Sequence, residues 1–521
     1  MESSTSGARA GLSSVTRGTL IMMIGTLGFV AETLVSRIIL VRTIDEVHWS
    51  EFSLAIAVSG LVATLGSLGL PQAIARSLPY EGEDRLRRQI VSTTYRVGVP
   101  AALAAGGFLA LAGLPVSTTF HSPFFAFTLE FFAVATVFTI LSSLIASVFQ
   151  GYEDVLPNAL FVQVLNPALF IAFLLVGAKL LPSGLTYTGA LVAYVVSAAA
   201  SLVALVVYAH RRMPKLLVPG PRAPGVSRPL LTFALPLFFV SVFSFISGNG
   251  DTLILGYFNQ ASVGFYSADL PLARLLQVGI ASLGYIFLPV TSRFVRTGEH
   301  AVVELTYVTA TKWVALTSLP LFLVFFFLPG PSLTFVFGAQ YAATTGPLRI
   351  LLAGAFLSTL VGPAFMGQVA YGQTRLLFYN TLIAGLADLG LAFALVPSLG
   401  LTGAAIAWAA SNALFPVLSL IELAATERIH PFTRDYVVPL AATSFPVAAI
   451  LVLAPVGLSL WLLPPAVLAI AGLFLLLVVL TGSIDDGDRL LLEAVEGLLG
   501  RRLPAVRTLA AWSRRLRPNR A

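Results

Sequence analysis

The stretch from Ser183 to Arg212, SGLTYTGALVAYVVSAAASLVALVVYAHRR, decides what kind of chain this is. Between Tyr187 and Ala209 it carries no charged residue, and a helix of about 20 apolar residues at about 1.5 Å each crosses the roughly 30 Å of a bilayer's hydrocarbon. It ends in His210, Arg211 and Arg212, a basic flank of the kind that marks the cytoplasmic end of a span. Near Leu399 the sequence LGLTGAAIAWAA resembles SGLTYTGALVAY from Ser183, so the chain repeats itself at a separation of about 215 residues.

Similar apolar runs recur along nearly the whole chain. Hydrophobic residues make up 57% of the 521 and charged residues 11%, with a mean hydropathy of +0.90, values that belong to a membrane protein. Backbone groups in lipid must be satisfied internally, which leaves helices or a closed barrel. These runs are too long and too continuously apolar for alternating barrel strands. The fold class expected is therefore an all-α membrane protein with about fourteen transmembrane helices. They cover roughly 18–41, 51–75, 97–114, 122–149, 157–181, 187–209, 230–258, 263–292, 306–329, 343–370, 376–397, 401–425, 436–456 and 458–481.

The net charge of +7 and pI near 9.7 reflect topology and not nucleic acid. Arg85, Arg87, Arg88, Arg211, Arg212, Lys215, Arg222 and Arg228 all fall in alternate loops, which places those loops and both termini in the cytoplasm of a cell carrying this protein in its cytoplasmic membrane. The opposite loops hold little beyond Arg42 and Lys179. The first apolar run has no small-residue cleavage site and reads as a retained helix. After Ser483, a basic amphipathic segment reads as lying on the cytoplasmic membrane face, docking anionic lipid or simply enforcing topology.

Further pairs follow the repeat in order: Glu51-Phe52-Ser53 with Phe265-Tyr266-Ser267, Leu70-Pro71 with Leu288-Pro289, and Gln150-Gly151 with Tyr371-Gly372. The division expected is a six-helix lobe over 1–209, a basic cytoplasmic linker over 210–229 and a second six-helix lobe over 230–425. Two additional helices over 426–482 and the tail over 483–521 complete it. Two repeated lobes with a site between them are a transporter architecture. Prolines within spans, among them Pro167, Pro236, Pro271, Pro289, Pro363 and Pro416, permit kinks that such a mechanism uses.

There is no cysteine, so disulfides, Cys-ligated metals and thiol nucleophiles are excluded. None of the three lysines, Lys179, Lys215 and Lys312, follows a glycine as a phosphate-binding loop requires. The five histidines, His48, His121, His210, His300 and His430, form no metal-spaced pair. No cofactor is expected, and the chain reads as a non-enzyme.

What remains are ionisable residues inside spans, each costing about 2.5 to 3.5 kcal/mol at the bilayer centre and therefore expected to face a cavity or a partner. Glu32, Arg37, Asp251, Asp269 and Arg274 share a similar depth by residue count. The expectation is that Arg37 and Arg274 present guanidinium forks to a pyrophosphate while the carboxylates orient them. The competing reading makes these residues ion pairs that lock helices together. Asp388, mid-span, is a candidate for a coupling proton or sodium ion, or for pairing with a neighbouring helix. Glu130, Lys312, Arg349 and Glu422 are placed nearer helix ends, where long side chains reach the interface.

Five segments bear a family likeness: SRIILVRTIDEVHWSEFSLA from Ser36, LGSLGLPQAIARSL from Leu65, DTLILGYFNQASVGFYSADLPLARL from Asp251, VFGAQYAATTGPLRIL from Val336 and GLTGAAIAWAASNAL from Gly400. In order and spacing the chain resembles the Wzx-like polysaccharide flippases of the multidrug/oligosaccharidyl-lipid/polysaccharide exporter superfamily over essentially its full length. The resemblance implies two six-helix lobes around a cavity lined by helices one, two, seven and eight. It further implies movement of a polyprenyl- or dolichyl-linked oligosaccharide to the outer leaflet for surface polysaccharide or glycoprotein synthesis. Membrane lipids and the glycosyltransferases or polymerase of the same pathway are the partners it suggests. A drug or organic-cation antiporter of the same superfamily would want acids to dominate that cavity, and a membrane glycosyltransferase or polymerase would want paired acids in an outer loop.

Overall fold

A backbone in hydrocarbon closes its hydrogen bonds most cheaply as helix, and in the computed structural model the regular elements among the described residues are all helical. The structure describes residues 25–80, 84–120, 122, 124–180, 185–214, 224–453, 465, 469–470, 472–474 and 476–477. Ten of the described helical spans are long and apolar enough to cross a membrane. The expected last helix, the start of the first, the centre of the basic linker and the tail after Ser483 lie wholly or largely outside the described residues.

The chain divides into two compact units, Met1–Ser267 and Ala268–Ala521. The first is built from α1 (25–43), α2 (Glu46–Gly66), α3 (Leu70–Tyr80), α4 (Asp84–Leu111), α5 (Gly113–Thr119), α6 (Phe125–Gly151), a π-helical segment (Asn158–Leu165), α7 (Asn166–Leu180), α8 (Tyr187–Arg212) and α9 (Pro224–Phe258). Helix α6 packs on α2, α3, α4 and α8. Small residues permit the approach: a Cβ on Gly106 would stand 2.9 Å from the carbonyl oxygen of Ala133, and one on Gly66 would stand 2.9 Å from Ile140 Cδ1. Phe52 is the hub of an aromatic cluster, its ring centroid 5.2 Å from Phe132, 6.2 Å from Phe170 and 5.6 Å from Tyr194. One buried ring thus ties together α2, α6, α7 and α8.

Helix α10 (Val263–Leu275) begins in the first unit, which ends at Ser267, and the second unit continues from Ala268 through α11 (Val278–Thr297), α12 (His300–Phe327), α13 (Pro329–Val336), α14 (Thr345–Val361), α15 (Ala364–Ala370), α16 (Thr374–Leu399), α17 (Leu401–Glu427) and α18 (Arg434–Leu453). Helix α17 packs on both α14 and α16. A Cβ at Gly354 would lie 2.5 Å from Ala409 Cα, so glycine is what lets α14 touch α17 backbone to backbone. The turn from α16 to α17 is made by Gly400 at φ 53°, ψ −126°.

The duplication is written in the element bounds. Helices α4 and α12 are each 28 residues long and start 216 positions apart, at Asp84 and His300. Spans beginning at Phe125 and Ala339, and at Tyr187 and Leu401, are each offset by 214. Helix α9 belongs to the second copy by this register, yet it packs on α2, α3 and α4 of the first unit.

Several expected spans are interrupted. The helix expected over 51–75 ends at Gly66, turns through Leu68 and Gly69 at φ 53° and 68°, and resumes at Leu70. The one expected over 263–292 breaks at Leu276-Gln277, between α10 and α11. The one expected over 343–370 breaks at Gly362-Pro363, with Gly362 at φ 70°. Breaks and ends strand backbone carbonyls, and side chains take them. Val361 O accepts from Tyr307 Oη and Leu360 O from Tyr436 Oη, both at 2.8 Å. In the π segment Phe161 O accepts from Ser201 Oγ at 2.6 Å.

Because Phe52 joins four helices, Phe52→Ala should lower unfolding stability by about 3 to 5 kcal/mol, measured by chemical unfolding in detergent; a loss below about 1 kcal/mol would show that the cluster is not a keystone.

Candidate substrate-binding site

Each ionisable side chain within a span must be satisfied by the protein or by water in a cavity, so its position and burial decide what it is able to do. Helix α1 carries Glu32 and Arg37, both half-buried, with Glu32 Oε2 fully enclosed. The Arg37 guanidinium donates to the backbone carbonyl of Ser267 in the first turns of α10. Asp251, near the end of α9, accepts from the Tyr266 hydroxyl and, at 2.7 Å, from the backbone N–H of Thr252. Arg37 and Asp251 thus meet at adjacent residues of one helical turn, Ser267 and Tyr266.

That turn is held in turn by the start of α2. Trp49 Nε1 donates to Gly264 O at 2.8 Å, Ser50 Oγ donates to Ala261 O at 3.0 Å, and the N–H of Gly264 donates to Ser50 Oγ at 3.0 Å. A Cβ on Gly264 would lie 2.5 Å from Ser50 Oγ and 2.8 Å from Trp49 Cδ1, so the position requires glycine for close approach. The two sequence pieces paired by the internal repeat, around Glu51 and Phe265, therefore begin at a shared contact.

Asp269 and Arg274 lie further along α10. The Asp269 carboxylate accepts from Thr344 Oγ1 at 3.0 Å. Arg274 is exposed in the last turn of α10, directly before the break at Leu276-Gln277, where the negative end of the helix dipole favours a cation. Asp388, in α16, accepts from Ser411 Oγ of α17 at 3.0 Å.

The three aspartates and the two arginines among these residues differ in exposure, while Glu32 is half-buried like Arg37. Asp251, Asp269 and Asp388 retain 1%, 0% and 2% of their surface, whereas Arg37 is half-buried and Arg274 exposed. A carboxylate enclosed by hydroxyl donors is a poor contact for a large organic cation. An accessible guanidinium, with five N–H donors in a planar fork, suits a phosphate-bearing head group.

Three residues set near helix ends by the sequence reading behave as expected or otherwise. Glu130 is exposed, and Arg349 Nε donates to Phe326 O at 3.0 Å. Glu422 instead accepts from Gln368 Nε2 and Asn380 Nδ2, both at 2.6 Å, and so ties α17 to α15 and α16. The fourth, Lys312, needs correction. Helix α12 begins at His300, earlier than expected, so Lys312 sits about 18 Å along it and is fully buried. Among the described residues no group of three or more His, Cys, Asp or Glu side chains is arranged to hold a metal ion.

The structure is similar to the lipid II flippase MurJ in an inward closed conformation, with a TM-score of 0.71 at 13% identity, over 88% of this chain and 98% of that one. It is also similar to an inward-facing multidrug resistance MATE family transporter of the MOP superfamily, with a TM-score of 0.56 at 18% identity over 80% and 94%. A MOP superfamily transporter from Pyrococcus furiosus gives 0.51 at 18% identity over 80% and 95%. No curated protein sequence matches the chain. At these identities the structural likenesses establish the fold alone, the one these solved structures share. The family model described as polysaccharide biosynthesis protein matches residues 15–295, more than half of the sequence, and the chain belongs to that family.

Proposed function

We propose that this protein is a flippase that carries a polyprenyl- or dolichyl-phosphate-linked oligosaccharide from the cytoplasmic to the outer leaflet by alternating access, supplying surface polysaccharide or glycoprotein synthesis. The observation that carries this reading is the contrast in burial: the arginines at Arg37 and Arg274 remain reachable while Asp251, Asp269 and Asp388 are enclosed. Membership of the polysaccharide biosynthesis family and the fold shared with a lipid II flippase support the same conclusion. The guanidinium groups bind the phosphates of the head group, and the lipid tail stays in the bilayer. Translocation requires no bond to be made or broken, so the protein acts as a transporter and not an enzyme.

Asp388, buried against Ser411, is the candidate for binding a coupling proton or sodium ion. Glycosyltransferases or a polymerase of the same pathway are the protein partners this role implies. The protein is placed in the cytoplasmic membrane with both termini in the cytoplasm, following its basic loops.

Two measurements test this. In a strain lacking the protein, lipid-linked glycan should accumulate on the cytoplasmic leaflet; wild type should clear it, Arg274→Ala at matched abundance should not, and Arg274→Lys should do so only partly, because an ammonium lacks the fork. Unchanged glycan together with new sensitivity to organic cations would replace the flippase with an antiporter. For topology, the natural absence of cysteine allows a single cysteine at Leu217; a membrane-impermeant thiol reagent should leave it unlabelled in intact cells, and labelling there would invert the orientation.

A further inference from the structure

The contact between Arg37 and Ser267 has a cause in the sequence of α10. In an α-helix the carbonyl of residue i accepts from the N–H of residue i+4, so the carbonyl of Ser267 would ordinarily be taken by residue 271. That residue is Pro271, inside α10, and proline has no N–H. Its ring also crowds the carbonyl four residues earlier and tilts it away from the helix axis. Ser267 O is therefore an orphan acceptor in the middle of a helix, in surroundings where an unsatisfied carbonyl is costly. The Arg37 guanidinium fills that vacancy. The preceding residue, Tyr266, is fully buried and its hydroxyl is held by Asp251 of α9, while Gly264 is clamped by Trp49 and Ser50 of α2. The turn that offers the carbonyl is thus pinned from two helices.

We propose that Pro271 and Tyr266 are positioning residues that build a socket for Arg37: Pro271 releases the Ser267 carbonyl, Tyr266 anchored on Asp251 fixes its direction, and the guanidinium seated there is presented in one orientation to a lipid-linked pyrophosphate. This rests on the flippase reading above. It assigns a function to a helix-breaking residue that otherwise only weakens α10, and to a buried tyrosine that touches no substrate.

The socket makes an unusual prediction, because Pro271→Ala restores a backbone N–H and a strong helix former. The variant should be at least as heat-stable as wild type and yet bind ligand less well. The probe is undecaprenyl pyrophosphate, with uncharged undecaprenol as the reference, added to the purified full-length protein in nanodiscs and followed by native mass spectrometry. Pro271→Ala and Tyr266→Phe should each weaken binding of the pyrophosphate about tenfold, the scale of a hydrogen bond to a charged group. In an Arg37→Gln background neither substitution should weaken it further, since residues acting through Arg37 cannot add to its loss. Additive effects in that background, or full binding by Pro271→Ala, would overturn the socket while leaving the flippase reading in place. Wild type that binds undecaprenyl pyrophosphate no better than undecaprenol would overturn the reading on which the socket rests.

Discussion

The constraint on which this structure depends is that a backbone group in hydrocarbon must find a partner within the protein. Where the helices run unbroken the condition meets itself. Where a break, a π segment or a proline inside a helix removes the usual donor it selects particular side chains: Tyr307 for Val361 O, Tyr436 for Leu360 O, Ser201 for Phe161 O and Arg37 for Ser267 O. Each of these contacts joins segments 40 or more positions apart in sequence. The interruptions are therefore also the joints by which separate helices hold one another, and a charged side chain is fixed at one of them.

The same condition accounts for what the amino-acid sequence discloses. Apolar runs of spanning length, their basic flanks and a repeat of about 215 residues are one-dimensional signals, and the helix bounds reproduce them, down to two helices of 28 residues starting 216 positions apart. Helix breaks carry no such signal. Both sides of the interruption at Leu276-Gln277 are apolar and neither residue is glycine or proline, so hydropathy runs straight through it. The burial of Lys312 escapes the sequence for a related reason: His300, Glu304 and Thr306 lower the hydropathy of a segment that is already part of α12.

The charged residues proposed for the site can be picked out in the sequence, but their surroundings cannot. That Asp269 would be enclosed by Thr344, 75 positions away, depends on tertiary packing. One acceptor for Arg37 is a main-chain carbonyl, which no residue pattern records. Pro271, four residues after Ser267, was the one available clue, and it points to a released acceptor and not merely to a kink.

The central question is whether the accessible arginines serve a lipid-linked anion. The most direct measurement reconstitutes the purified protein into liposomes and follows a fluorescent polyprenyl-pyrophosphate oligosaccharide from one leaflet to the other. Transfer well above that of protein-free vesicles, abolished by Arg37→Ala together with Arg274→Ala, is the predicted result. Transfer no faster than in empty vesicles, with export of an organic cation that depends on the buried carboxylates, would contradict it.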